Sequence, residues 1–91
     1  MRNIFDIIIV NQKIWDKDIK SLSKQDKENI KTKILALKNF PNAGDIKKLT
    51  NFTSADYRLR IGHYRVLFDL DHCHKKILLY RILHRKDSYS F

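Results

Sequence analysis

Ninety-one residues, 43% of them hydrophobic, suffice for one modest core and a single domain over residues 1–91. Lys plus Arg outnumber Asp plus Glu by 19 to 10, and the resulting +9 is a strong field on so small a surface, favouring polyanionic partners. One cysteine, Cys73, excludes an intrachain disulfide, and no apolar run approaches the roughly 20 residues that span a bilayer.

In chain order, the Ile- and Phe-rich stretch Ile4–Val10 predicts a short strand. It carries Asp6 and lacks the long apolar region and small-residue cleavage site of a secretory signal, so the expectation is a cytoplasmic protein with no membrane association. Asn11 offers an N-cap to a helix from Gln12 to about Leu22, whose stripe is Trp15, Ile19 and Leu22. Ser23 offers a second N-cap, with Asp26 in the first turn of a helix running to about Asn39. Ile30, Ile34 and Leu37 form its stripe, and Pro41 and Gly44 end it. Each helix has one apolar face, so the hairpin they form must lie on another surface.

Residues Asn42–Ala55 read as a polar connection carrying Lys47, Lys48 and Leu49. Tyr57–Ile61 and Tyr64–Leu70 then alternate as strands around a tight turn at Gly62-His63. Asp71–Lys75 is a polar hairpin turn, and Lys76–Leu83 is apolar on both faces, as a central strand would be. The predicted architecture is α+β: an N-terminal strand, a helical hairpin, then a three-stranded antiparallel meander covered on one face by the helices.

Five of the six arginines lie in the last 34 residues. A/T-biased codon usage accounts for abundant lysines but not for this clustering. Side chains alternate along a strand, so if Tyr57, Leu59 and Ile61 face the helices, Arg58 and Arg60 face away. By the same rule Tyr64, Val66 and Phe68 face in and Arg65 faces away. Three guanidinium groups on one sheet face repel one another unless an anion lies between them, whereas a merely solvated face mixes signs. The pattern therefore points to phosphate binding, for which the planar guanidinium is suited. Beyond the last strand, His84-Arg85-Lys86-Asp87-Ser88-Tyr89 adds an imidazole, two cations and a phenol. Cleavage of RNA by its own 2′-hydroxyl requires two proton transfers and stabilisation of a developing anion. Histidine suits the first task near neutral pH and arginine the second.

The strings Tyr57-Arg58-Leu59-Arg60-Ile61-Gly62-His63-Tyr64-Arg65 and His84-Arg85-Lys86-Asp87-Ser88-Tyr89 together resemble the two conserved motifs of RelE/ParE superfamily toxins, and the likeness extends over essentially the whole chain. The resemblance implies a curved antiparallel sheet with two helices on one side. It further implies the toxin of a type II toxin–antitoxin system, with a cognate acidic antitoxin as partner. For the RelE branch it implies metal-independent, cofactor-free cleavage of messenger RNA on the ribosome by in-line 2′-hydroxyl attack. Matched position by position, Arg58 and Arg60 fall where that branch places basic residues near the hydroxyl. Arg65 falls on the scissile phosphate, Arg85 near the leaving group, Tyr89 on the substrate base, and His84 where relatives carry an acid or base. Lys47, Lys48, Arg81 and Lys86 are the further RNA-binding candidates. Arginine's high pKa argues against Arg58 or Arg60 as a general base, which leaves proton transfer to His84 or catalysis to positioning and electrostatics.

Two alternatives share the fold: a ParE-like inhibitor of DNA gyrase without nuclease activity, and an inactive module that binds only antitoxin or RNA. The cluster Asp71-His72-Cys73-His74 is not expected to hold a metal, because adjacent residues on one short turn rarely close a four-coordinate shell. Trp15 and the phenylalanines are expected in the core.

Overall fold

A computed structural model describes residues 5–40, 44–50 and 55–84. Strand β1 (Asp6–Ile9) leads into helix α1 (Gln12–Lys20) and helix α2 (Lys24–Ala36), which closes with a 3₁₀ turn at Leu37–Asn39. Strands β2 (Asp45–Lys48), β3 (Tyr57–Ile61), β4 (Tyr64–Asp71) and β5 (Lys76–His84) complete the chain. Both expected caps are in place: Asn11 Oδ1 accepts the Ile14 N–H at 3.1 Å, and Ser23 Oγ accepts the Asp26 N–H at 3.1 Å. Helix α1 stops two residues short of Leu22, because the Ser21 N–H and hydroxyl both turn back to the Asp18 carbonyl.

The five strands form one sheet in the order β1-β5-β4-β3-β2. Two features depart from the sequence expectation. Part of the polar connection is strand β2, antiparallel to β3, so the meander has four strands rather than three. Strand β1 joins β5 in parallel, making the sheet mixed rather than wholly antiparallel. Both follow from backbone hydrogen bonding, since β3 and β5 each need a partner on their outer edge. Ile46 fits beside Leu59 and Ile7 beside Ile77, so apolar residues of the added strands extend the same core.

That core lies between the sheet and the helical hairpin. Ile30, Leu37, Leu59, Val66, Phe68, Ile77 and Leu79 are fully buried there, with Trp15, Leu22 and Phe5 beside them. The alternation predicted for β3 and β4 is the observed one. At the β3–β4 turn, Gly62 has φ +58° and His63 does not share a positive φ, the pattern of a two-residue turn that matches strand twist.

Strand β5 carries a bulge. Leu67 pairs with Arg81 but Phe68 with Leu79, so Tyr80 is the extra residue. Strand β1 reaches only to Leu79, with the Val10 N–H bonding its carbonyl at 3.0 Å. Beyond that point helix α1 takes over the edge. Asp18, whose side chain is 9% exposed, accepts the Ile82 N–H at 3.0 Å and the Arg81 guanidinium at 2.8 and 2.9 Å. The carboxylate thus stands in for a strand residue and ties α1 to the sheet.

Asp18→Ala leaves a half-buried backbone donor and a guanidinium without this acceptor, at an expected cost of about 2 kcal/mol. Urea unfolding checks it, with Asp16→Ala, on the exposed side of α1, expected to stay within about 0.5 kcal/mol of wild type.

Candidate nucleic-acid interface

Antiparallel partners share a sheet face, so the strand register defines the rows of side chains opposite the helices. One row runs Lys47, Arg58, Leu67, Arg81; the next runs Asp45, Arg60, Arg65, Leu83. Arg60 and Arg65 stand directly opposite each other, which brings two guanidinium-bearing residues together on this face. Five cations, Lys47, Arg58, Arg60, Arg65 and Arg81, therefore share one face, as the alternation in β3 and β4 predicts for Arg58, Arg60 and Arg65. Lys47 joins them only because residues 45–48 form a strand, and Lys48, paired with Tyr57, lies on the helix side.

The floor of this face is apolar. Leu67 and Leu83 are buried there with Ala55, and Leu49 and Tyr80 pack against them. Segment ends on either side of residues 51–54 thus return over the sheet, with the Leu49 N–H bonded to the Asp56 carbonyl at 2.7 Å. Asp69 accepts the Asp56 N–H and, at 2.8 Å, the Tyr80 hydroxyl. Burial, and then this carboxylate, push the Tyr80 phenol up to about 12. Asp69 thus serves Tyr80 and the Asp56 backbone. On the arginine face itself, Asp45 Oδ1 lies 3.7 Å from Arg58 Nη1.

The structure separates His84 from this face. It pairs with Tyr64, whose ring belongs to the helix side, and meets that ring edge-on at 5.3 Å. It also stacks on His63 with centroids 6.3 Å apart. Tyr64 in turn faces Asp26 of α2; burial and that carboxylate raise its pKa. Counting by twos from Leu79 puts residue 84 among the arginines. The Tyr80 bulge shifts the count by one and turns His84 to the other side. The same bulge places Arg81, a further RNA-binding candidate, on the arginine face at the end of the Lys47 row, where Asp18 holds its guanidinium. Arg85, Lys86 and Tyr89 lie outside the described residues.

Two other groupings complete the picture. Asp71 accepts the His74 ring nitrogen at 2.8 Å and the His74 N–H at 3.1 Å, which lower its pKa in that order and make the cluster a capped hairpin turn. Among the described residues no three His, Cys, Asp or Glu converge as a metal site, and no helix is long and apolar enough to cross a membrane. On the helix side, a groove of about 680 Å³ runs between β1 and the hairpin, lined by Ile7, Ile9, Ile30, Ile34 and Leu35 with Lys27, Lys31 and Lys38. Leu35 is 49% exposed at its mouth. Leu35 stands beside the stripe of Ile30, Ile34 and Leu37 rather than in it, so sequence spacing offered no signal for the groove.

The family model described as the ParE toxin of type II toxin–antitoxin systems matches residues 11–89. Similar solved structures include the RelB–RelE antitoxin–toxin complex of Methanococcus jannaschii, at 27% identity over 91% of this chain and 95% of that one, TM-score 0.71. The archaeal RelE–RelB complex of Pyrococcus horikoshii is 26% identical over 90% and 96%, TM-score 0.72. The RelBE2 complex of Mycobacterium tuberculosis, 19% identical over 90% and 99% with TM-score 0.75, shares the fold. No curated protein sequence matches.

The Tyr80 phenol predicts a pH signature. In the unfolded chain it ionises near its ordinary value of 10, and in the folded protein near 12. Its hydrogen bond thus contributes fully below pH 10 and is lost as pH rises through 12. The gap in thermal midpoint between wild type and Tyr80→Phe should close across that interval, with the common lysine titration cancelling between the two.

Proposed function

The chain belongs to the RelE/ParE superfamily of type II toxin–antitoxin toxins, and from that premise we propose that it is an endoribonuclease of messenger RNA, acting on the ribosome by 2′-hydroxyl in-line attack without a metal. The observation that carries this reading is the opposed pair Arg60 and Arg65, with Arg58 and Lys47 in the adjoining row. A phosphodiester within reach of both guanidinium groups gains most where charge develops, on the pentacoordinate phosphorane. Arg65 sits over the scissile phosphate, Arg60 and Arg58 hold the attacking side, and Lys47 extends contact to the flanking backbone. Tyr80 closes the floor. Because His84 faces Tyr64, catalysis in this reading rests on in-line positioning and electrostatics, with Arg85 and Tyr89 as the remaining candidates at the leaving group and base.

A gyrase-inhibiting reading has its own support. The matching family model is described as ParE, and the described part of the arginine face holds no group suited to proton transfer near neutral pH. Inducible expression followed by mapping of mRNA ends separates the two. Codon-phased cuts support the nuclease, and intact mRNA with gyrase-dependent DNA damage sinks it. On the nuclease reading Arg65→Ala slows cleavage about 10²-fold, and His84→Ala has a far smaller effect. Cleavage that survives Arg65→Ala unchanged removes the arginine face from the mechanism.

The partner in this reading is a cognate acidic antitoxin. We infer that one of its segments lies in the groove between β1 and the hairpin. An amphipathic helix would place apolar residues on Ile7, Ile9 and Leu35 and carboxylates beside Lys27, Lys31 and Lys38. Leu35→Asp puts a carboxylate at the mouth of that groove. It should weaken the toxin–antitoxin complex at least about tenfold by calorimetry and leave RNA binding unchanged.

A further inference from the structure

Asp45 is out of place. A face built to attract phosphate gains nothing from a carboxylate, yet Asp45 stands directly opposite Arg60 in the register and diagonally across from Arg58. It is well positioned for attraction and badly positioned for a bond. Its Oδ1 lies 3.7 Å from Arg58 Nη1, beyond hydrogen-bonding distance. The Arg58 side chain is only 15% exposed, and its Nη1 is cut off from solvent and, among the described residues, has no hydrogen-bond partner. A buried charged donor left unspent is costly and is normally satisfied. Asp45, by contrast, is 57% exposed and sits on the edge strand, where its side chain can swing into solvent at little cost.

These facts fit together if the carboxylate keeps a seat. We propose that Asp45 is a placeholder for the substrate phosphate, an internal anion that screens Arg58 from Arg60 in the free protein and is displaced when a nucleic-acid phosphate makes the hydrogen bond that Asp45 does not. The inference rests on the reading of this face as a polyanion-binding surface. Its consequence is selectivity by competition. An isolated anion must overcome the carboxylate alone, whereas a strand engaging Lys47, Arg60 and Arg65 at the same time does so with several contacts. Asp45 is a positioning and discriminating residue in this scheme, not a catalytic one.

The test is equilibrium binding of a fluorescent 2′-O-methyl oligoribonucleotide, which cannot be cleaved by its own 2′-oxygen, to full-length protein at about 0.1 M salt, where surface charges still interact over about 10 Å. Asp45→Asn keeps the shape and removes the charge, and should tighten binding about three- to tenfold. Asp16→Asn raises the net charge equally from the exposed side of α1 and should leave affinity near wild type. In an Arg58→Ala background the gain from Asp45→Asn should largely vanish, since the carboxylate then has no buried guanidinium to occupy. Equal affinity for Asp45→Asn and Asp16→Asn overturns the placeholder, as does a gain that persists without Arg58. Asp45→Ser repeats the measurement should the amide find a bond of its own, and a circular-dichroism spectrum confirms folding. If neither wild type nor any variant binds, or if Arg60→Ala with Arg65→Ala leaves binding intact, the reading of the face falls and the placeholder with it. A face that binds through Arg60 and Arg65 but ignores Asp45 removes the placeholder alone.

Discussion

Strand β5 must satisfy two edges and two faces at once, and most of the architecture answers that demand. It buries Ile77, Leu79 and Ile82 on one face and Leu83 on the other, and its backbone groups need partners along both edges. Strand β4 serves one edge throughout. The other is shared: β1 covers it as far as Leu79, and the Asp18 carboxylate takes the Ile82 N–H beyond. A side chain from a helix thereby completes a ladder that a strand leaves unfinished. The same carboxylate grips Arg81, so the helical hairpin is attached to the sheet by a charge as well as by Trp15, Ile30 and Ile34.

The meander then sorts chemistry by face. Helix-side positions of β2 to β5 carry Ile46, Leu59, Val66 and Ile82, and the opposite positions carry Lys47, Arg58, Arg60, Arg65 and Arg81 over a floor of Leu67 and Leu83. The cost of gathering like charges is limited by solvent around Arg60 and by Asp45 near Arg58. Asp69, bonded to Tyr80 and the Asp56 backbone, holds the floor. The arginine face and the lysine-rimmed groove consequently lie on opposite sides of the sheet. A polyanion and a protein partner can therefore address the same small domain without sharing a residue.

Much of this was legible in the chain. The caps at Asn11 and Ser23, the helical stripes through Trp15 and Ile30, and the alternation from Tyr57 to Leu70 each depend on neighbours a few residues away, which sequence spacing reports directly. The family resemblance carried by the two motifs is matched by a family model over residues 11–89. Strand β2 was not legible, because Asp45-Ile46-Lys47-Lys48 has one apolar residue and is held as a strand by the unpaired edge of β3. The groove was not legible either, since Leu35 acquires meaning only when β1 lies alongside it.

The sequence by itself determined the α+β class, the cationic character of one face and the presence of Arg58, Arg60 and Arg65 on it, all consequences of charge count and a period of two. Tertiary structure alone decided which other residues joined them. Pairing with β3 brought Lys47 in, and the bulge brought in Arg81, whose guanidinium Asp18 holds at the edge of β5. The single extra residue at Tyr80 turned His84 away. A bulge changes the parity of every residue after it, and it forms where two strands of unequal count must stay in register, a condition set by the partner strand rather than by the bulged one.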